Sequence, residues 1–150
     1  MKIIKNLKKF GVDDMKLSKY NFYLLSIIWG LPITILGLVL SLVFILFKYK
    51  PIKNKFGWYF QLGPKNAGFS LGPMAIIGTP SEYLTAHEFG HAIQNCIYGP
   101  FMILIILASV VRFWYREWLV ANTKINRDDL PPYDNIWFES QATNFGNRYK

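Results

Sequence analysis

The 150-residue chain contains one cysteine, Cys96, and two histidines, His87 and His91. A single thiol excludes an internal disulfide framework and a cysteine-rich zinc module, so a metal site has to be built from histidines and carboxylates. Cys96 itself reads as a buried core thiol rather than a ligand. Acidic groups are scarce as well: 9 Asp and Glu stand against 17 Lys and Arg, for a formal charge of +8. What is present instead is apolar surface, with 52% apolar residues and 12 Phe, 9 Tyr and 5 Trp. That content excludes a disordered polar chain, and the length allows one ordinary domain. No internal repeat or low-complexity segment appears.

The apolar residues are concentrated. Residues 20–47, from Tyr20 to Phe47, carry no charged side chain, and six lysines precede them. At about 1.5 Å per residue this stretch can cross a hydrocarbon core of roughly 30 Å, with length to spare for tilt or for a bend at Gly30-Leu31-Pro32. It runs straight into Phe47-Lys48-Tyr49-Lys50 without a small-residue cleavage site, so it reads as a retained transmembrane anchor behind a basic tail of residues 1–19. The lysines flank it on both sides, at 2–19 and 48–65, which fits lipid headgroups and argues against nucleic acid as a partner.

Beyond the anchor, residues 56–78 mix aromatic and aliphatic side chains with five glycines, and Pro64 to Gly68 gives a turn signal. A short β-hairpin or two edge strands are expected, with Pro73 marking an edge or a bulge. Thr79-Pro80-Ser81-Glu82 then reads as a helix start, with Thr79 as the cap and Glu82 closing a capping box. That helix should run to Tyr98, where Gly99-Pro100 ends it. The apolar core of residues 101–118, eleven residues long before Arg112, is too short to span, and fits an interfacial, re-entrant or buried helix. Trp114, Tyr115 and Trp118 suit a headgroup belt. After a polar stretch with Pro131-Pro132, a short helix is expected from about Asn135 to Phe145, ending at Gly146.

Both histidines fall in His87-Glu88-Phe89-Gly90-His91, an H-E-x-x-H pattern. On a helix, positions four apart lie on one face, so both imidazoles can reach one zinc ion at about 2 Å while Glu88 works on the metal-bound water. Chance placement of two histidines and four glutamates produces the pattern in roughly 0.04% of arrangements. A catalytic zinc needs a third protein ligand, which here must be a carboxylate. The downstream choices are Glu117, Asp128, Asp129, Asp134, Glu139 and the terminal carboxylate at Lys150. Glu139 is best placed, on a predicted helix whose face carries the small residues Ala142, Thr143 and Gly146. Glu117 and Asp134 stay open as alternatives, whereas Asp128 and Asp129 sit in a loop of solvated type.

The first motif, followed by Glu139-Ser140-Gln141-Ala142-Thr143, resembles the gluzincin metalloproteases. The likeness is greatest to the membrane-embedded kind that includes the prenyl-protein protease and the bacterial heat-shock membrane protease. The run from His87 to Gly146 is also similar to small bacterial membrane proteins with an HExGH motif. The resemblance implies Zn2+ held by His87, His91 and Glu139, with Glu88 as general base. The family's Asp four residues after the ligand Glu is Thr143 here, so a hydroxyl without charge stands behind His87, with Asn144 or Gln141 as substitutes. That departure weakens the transfer of proteolysis more than the transfer of metal binding.

The implied activity is that of a membrane-bound zinc metalloendopeptidase, a hydrolase acting on a protein or peptide substrate through metal-activated water. Substrate would pair in extended form with the strand around Phe69, Leu71, Ala75 and Ile77. Tyr98, Tyr133, Arg148 and Tyr149 are the candidates for stabilising the tetrahedral intermediate. The fold expected is mainly α: one membrane helix (20–47) plus a small zincin-like α+β unit (48–150) with a short edge hairpin. The setting is a bacterial cell membrane, and the basic residues near the catalytic side, seven against six, favour a cytoplasmic face. So few elements also leave room for a homo-oligomer. The alternative is a non-catalytic, metal-stabilised membrane interaction protein of the same family.

Overall fold

The computed structural model describes residues 16–149. Most of the basic tail, residues 1–15, and the terminal carboxylate at Lys150 lie outside the described residues. The chain is mainly helical with a small four-stranded sheet.

Residues 20–47 do not form one rod. Helix α1 (Lys19–Ile28) starts at Ser18, whose hydroxyl accepts the Asn21 N–H at 3.2 Å, and helix α2 (Leu31–Leu46) has Pro32 in its first turn. The two meet at 98° across Trp29-Gly30. Pro32 supplies no N–H for a continuing ladder, so the break falls where the sequence allows a bend. Neither piece alone reaches across a membrane: the 16 residues of α2 span about 24 Å.

The sheet comprises β1 (Ile52–Asn54), β2 (Gly57–Gln61), β3 (Gly68–Leu71) and β4 (Met74–Ile77), in the order β1-β2-β4-β3. β1 pairs antiparallel with β2, β2 parallel with β4, and β3 antiparallel with β4. The expected turn at 64–68 therefore does not close a hairpin. It carries the chain past β4, and the hairpin closes instead at Gly72-Pro73, between Leu71 and Met74. A two-residue turn with Gly72 at φ 60 suits that closure.

Helix α3 (Glu82–Tyr98) carries the H-E-x-x-H pattern, and its cap is Ser81 rather than Thr79: the Ser81 hydroxyl accepts the Leu84 N–H at 3.0 Å. The end at Gly99, with φ 55, is where it was expected. After a 3-10 turn at Gly99–Phe101, helix α4 (Met102–Asn122) runs 21 residues, or about 31 Å. It is longer than the apolar run because Arg112 and Arg116 turn their guanidiniums to the carbonyls of Pro131, Pro132 and Tyr133 and leave the helical ladder intact. Helix α5 (Trp137–Asn147) includes Gly146 instead of stopping before it.

The helical stretch Glu82–Asn122 is long and apolar enough to cross a membrane. It is not straight. Ser109 would lie about 27 Å along a continuous helix from His91, yet its hydroxyl is 2.6 Å from Glu139, which is itself 3.1 Å from His91. The chain turns back at Gly99–Phe101, so that α4 packs beside the α3–α5 crossing.

Two apolar clusters form the core, one of which reaches α3 only through Tyr98 at its end. Ile33, Phe60, Leu71, Met74, Met102 and Phe138 join α2, the sheet, α4 and α5. Phe22, Phe89, Ile93, Cys96 and Phe145 join α1, α3 and α5. Burying a side chain of this size is worth about 1.5–3 kcal/mol, so the second cluster anchors α3 to α1 and α5.

Candidate metal centre

The centre is made where α3 crosses α5. Two glycines allow the helices to approach backbone to backbone. A Cβ on Gly90 would lie 1.8 Å from the Ala142 carbonyl oxygen, and one on Gly146 would lie 1.9 Å from the Ala86 oxygen. Gly146 is thus a contact residue, which is why the helix continues through it.

At this crossing His87 Nε2 and His91 Nε2 lie 3.2 and 3.1 Å from the same oxygen of Glu139, Oε2. The three donor atoms are all within 4.8 Å of one another. A tetrahedron with arms of about 2.0 Å has edges of about 3.3 Å, so one cation can touch all three. The two imidazoles stand edge to face, 4.8 Å apart at 88°. All three residues are enclosed, and Glu139 is only 1% exposed.

The remaining polar atom of each ligand is held from behind. Thr143 Oγ1 is 2.8 Å from His87 Nδ1, and Gln94 Oε1 is 2.8 Å from His91 Nδ1. The amide oxygen of Gln94 can only accept, so it fixes a proton on Nδ1 and leaves Nε2 as the atom of His91 that meets Glu139. Gln94 is fixed in turn through its NH2, which donates to the Phe138 carbonyl at 2.7 Å and to Gln141 Oε1 at 3.0 Å. The Ser109 hydroxyl, from α4, donates to Glu139 Oε1 at 2.6 Å. Burial alone would raise the Glu139 carboxyl. Hydrogen bonds from His87 and His91, together with the Ser109 hydroxyl, outweigh it and hold the group well below the usual carboxylate range. It is an anion at neutral pH, as a ligand to a divalent cation must be. A buried His-His-Glu set with every outer atom fixed fits a metal ion better than it fits an apolar core.

Glu88 points to the sheet. Its Oε2 accepts the Ser70 hydroxyl at 2.5 Å, and the same hydroxyl lies 3.0 Å from the Glu88 carbonyl oxygen. Tyr83 stacks on the His87 ring at 5.9 Å, and its hydroxyl is 3.3 Å from Asp134. Tyr133 reaches the Ser109 carbonyl at 3.3 Å beneath the guanidiniums of Arg112 and Arg116. Burial, and then the charge of Glu139, pushes its phenol up to about 12.

The other expected residues are placed elsewhere. Glu117 pairs with Arg127 at 2.5 and 2.7 Å, and Asp129 accepts from the Asn126 main chain. Asp134 touches Tyr83 but does not join the ligand set. Asn144 is exposed, so of the two residues expected behind the ligands only Thr143 is in place. Gln141 takes part through Gln94. Among the four candidates for charge stabilisation, Tyr98 bonds Gln141, Arg148 lies over Phe145, and Tyr149 bonds Leu17 while packing on Phe56 and Phe89. Tyr133 alone of the four lies against Ser109 and feels the charges of both Glu139 and Glu88.

The expected substrate strand needs correction. Ala75 and Ile77 belong to β4, which is paired on both sides and buried, so it offers no free edge. Phe69 and Leu71 belong to β3, the outermost strand, with Phe69 partly exposed and the Leu71 side chain in the core. Ser70, Gln94 and Ser109 were missed. Gln94 had a signal, standing three residues after His91 on the same helix face. Ser109 had one too, as the lone hydroxyl in the run from Phe101 to Val111. Ser70 had none in the sequence. Comparison with known protein families, with curated proteins and with solved structures gives no match, so the reading of this centre rests on its own geometry.

Proposed function

We propose that the chain is a membrane-bound zinc metallopeptidase of gluzincin type, in which His87, His91 and Glu139 hold the ion and Glu88 is the general base. The observation that carries this reading is the convergence of both imidazoles on one oxygen of Glu139, at 3.2 and 3.1 Å, with each ligand secured from behind. Two neutral imidazoles and one carboxylate are a donor set suited to Zn2+. When bound, the ion would supply a Lewis acid for the substrate carbonyl and a more acidic water.

The residues of the chain do the rest. Glu88 accepts a proton from water as the water oxygen adds to the peptide carbonyl. It then gives that proton to the leaving nitrogen as the C–N bond breaks. Tyr133 keeps its proton at neutral pH and is the donor best placed to meet the negative charge that grows on the carbonyl oxygen. An extended peptide would add to the free edge of β3. The membrane setting is supported by the outward apolar faces of α2 and α4, among them Leu42, Leu46, Leu104, Leu107 and Val111.

A second reading, a metal-stabilised membrane interaction protein without turnover, is favoured by one observation: a neutral hydroxyl, Thr143, stands behind His87. Two measurements on detergent-purified protein test the reading, the first of the metal that both readings require and the second of the turnover that divides them. Zinc per chain should be about one in the wild type and near zero after His87→Ala with His91→Ala. Glu88→Gln should keep the zinc and lose at least ~100-fold in cleavage of a quenched fluorescent peptide library. Equal cleavage by wild type and Glu88→Gln would end the peptidase reading.

A further inference from the structure

We propose that Ser70 is a positioning residue for Glu88, and that it links the edge strand to the base; this rests on the reading of Glu88 given above. The Ser70 hydroxyl lies 2.5 Å from Glu88 Oε2 and 3.0 Å from the Glu88 carbonyl oxygen, so one side chain spans two points of the same residue. Both residues are buried, Ser70 to 6% and Glu88 to 4% exposure, where a hydrogen bond to a charged group weighs most. The bond engages Oε2 and leaves Oε1 to accept a proton. Oε1 is confined on the strand side by Gly68: a Cβ there would lie 2.1 Å from it. The carboxylate is therefore seated between two residues of β3, one gripping it and one too small to displace it.

The same two residues define the edge. Leu71 and Met74 close the two-residue turn, and partners alternate along the antiparallel ladder between hydrogen-bonded and non-hydrogen-bonded pairs. Gly68 and Ser70 fall on the non-bonded positions, which turn their main-chain N–H and C=O away from β4, with Gly68 exposed at the edge and Ser70 buried behind it. A peptide strand pairing at Gly68 meets the exposed one of the two residues that seat Glu88. Strand recognition is thereby read at the base independently of substrate side chains.

The test needs no turnover. Acetohydroxamate, a small hydroxamic acid, gives up its N–O–H proton to a neighbouring base when it chelates a metal. Its binding to the zinc-loaded protein consequently reports the placement of Glu88. Ser70→Ala should keep wild-type zinc content and bind acetohydroxamate about tenfold more weakly, the weight of one hydrogen bond to a charged group. Ser70→Thr, which keeps the hydroxyl, should recover most of the affinity. In a Glu88→Gln background Ser70→Ala should make no further difference. Gly68→Ala should mimic the loss from the other side. Unchanged affinity in Ser70→Ala, or an equal loss with and without Glu88, would overturn the proposal and leave Ser70 a strand residue only. A wild type that takes up no zinc overturns the metal reading and this proposal together. Zinc-loaded wild type that shows the Ser70 effect but cleaves no peptide would instead remove the peptidase reading and leave Ser70 in its role.

Discussion

Helix α3 meets α5 on one side and the α1–α2 elbow on the other, and it treats the two in opposite ways. Toward α5 it presents Gly90, His87, His91 and Gln94, and every ring nitrogen there has a side-chain partner, the two Nδ1 atoms at 2.8 Å and the two Nε2 atoms at 3.2 and 3.1 Å. Toward the elbow it presents Asn95, whose bonds are long, and Cys96, whose sulfur bonds weakly, beside an ordinary bond from Trp29 Nε1 to the Ile97 oxygen at 3.0 Å. Asn95 Nδ2 is 3.4 Å from the Gly30 oxygen and 3.3 Å from Thr34, its Oδ1 has no partner among the described residues, and the Cys96 sulfur is 3.3 Å from Ser26. The crossing is thus a tight, saturated polar joint, and the elbow is an apolar joint with loose polar fastening. The difference teaches where exact distance matters in this molecule. Ligand atoms have to stay within a few tenths of an ångström of their places, whereas the elbow only has to stay closed.

Substitutions can break that contrast. The largest effect should come from Gly90→Ala, because the new methyl would lie 1.8 Å from a main-chain oxygen that no rotamer can move. We expect separation of α3 from α5, loss of zinc binding and a destabilisation of about 1–3 kcal/mol or more, read by metal content and thermal unfolding in detergent. Next come the residues behind the ligands. Ser109→Ala and Thr143→Val should each lower zinc affinity about 10–100-fold with helix content unchanged, measured by competition with a chromophoric chelator. The smallest effect belongs to the elbow. Thr34→Val removes the 2.8 Å bond to the Ser26 carbonyl and should cost about 1 kcal/mol of stability without moving zinc affinity. If Thr34→Val weakened zinc as much as Ser109→Ala, the two sides of α3 would not be independent joints.

Much of the crossing could be read before any coordinates. His87 and His91 at helical spacing, and Glu139 with Ala142 and Gly146 on its own face, follow from periodicity and from the size of the smallest side chains. The helix boundaries moved by two residues because Ser81 competes with Thr79 as a cap, and local propensity does not choose between two hydroxyls. The parallel pairing of β2 with β4 was not legible, since it joins segments whose contact is set by the whole layer rather than by a turn. The elbow was legible only as an option at Gly30-Leu31-Pro32; its 98° goes with α1 packing on α3 while α2 packs on the sheet and the 3-10 turn. Ser109 stood out as a lone hydroxyl, but its role was not legible, because the run containing it reads equally as an interfacial, re-entrant or buried helix. Only the fold-back at Gly99–Phe101 brings its one hydroxyl to the metal side.

Besides lying over the Tyr133 ring, Arg112 and Arg116 hold the main chain of residues 131–133 through its oxygens, Pro131 at 2.6 Å, Pro132 at 3.3 Å and Tyr133 at 3.1 Å. Such a grip senses the route of the chain and is indifferent to its lettering. A guanidinium only donates, and the carbonyl it takes hold of is one that every residue carries. Over evolutionary drift that connection can change most of its side chains and still deliver the phenol of Tyr133 to the same place.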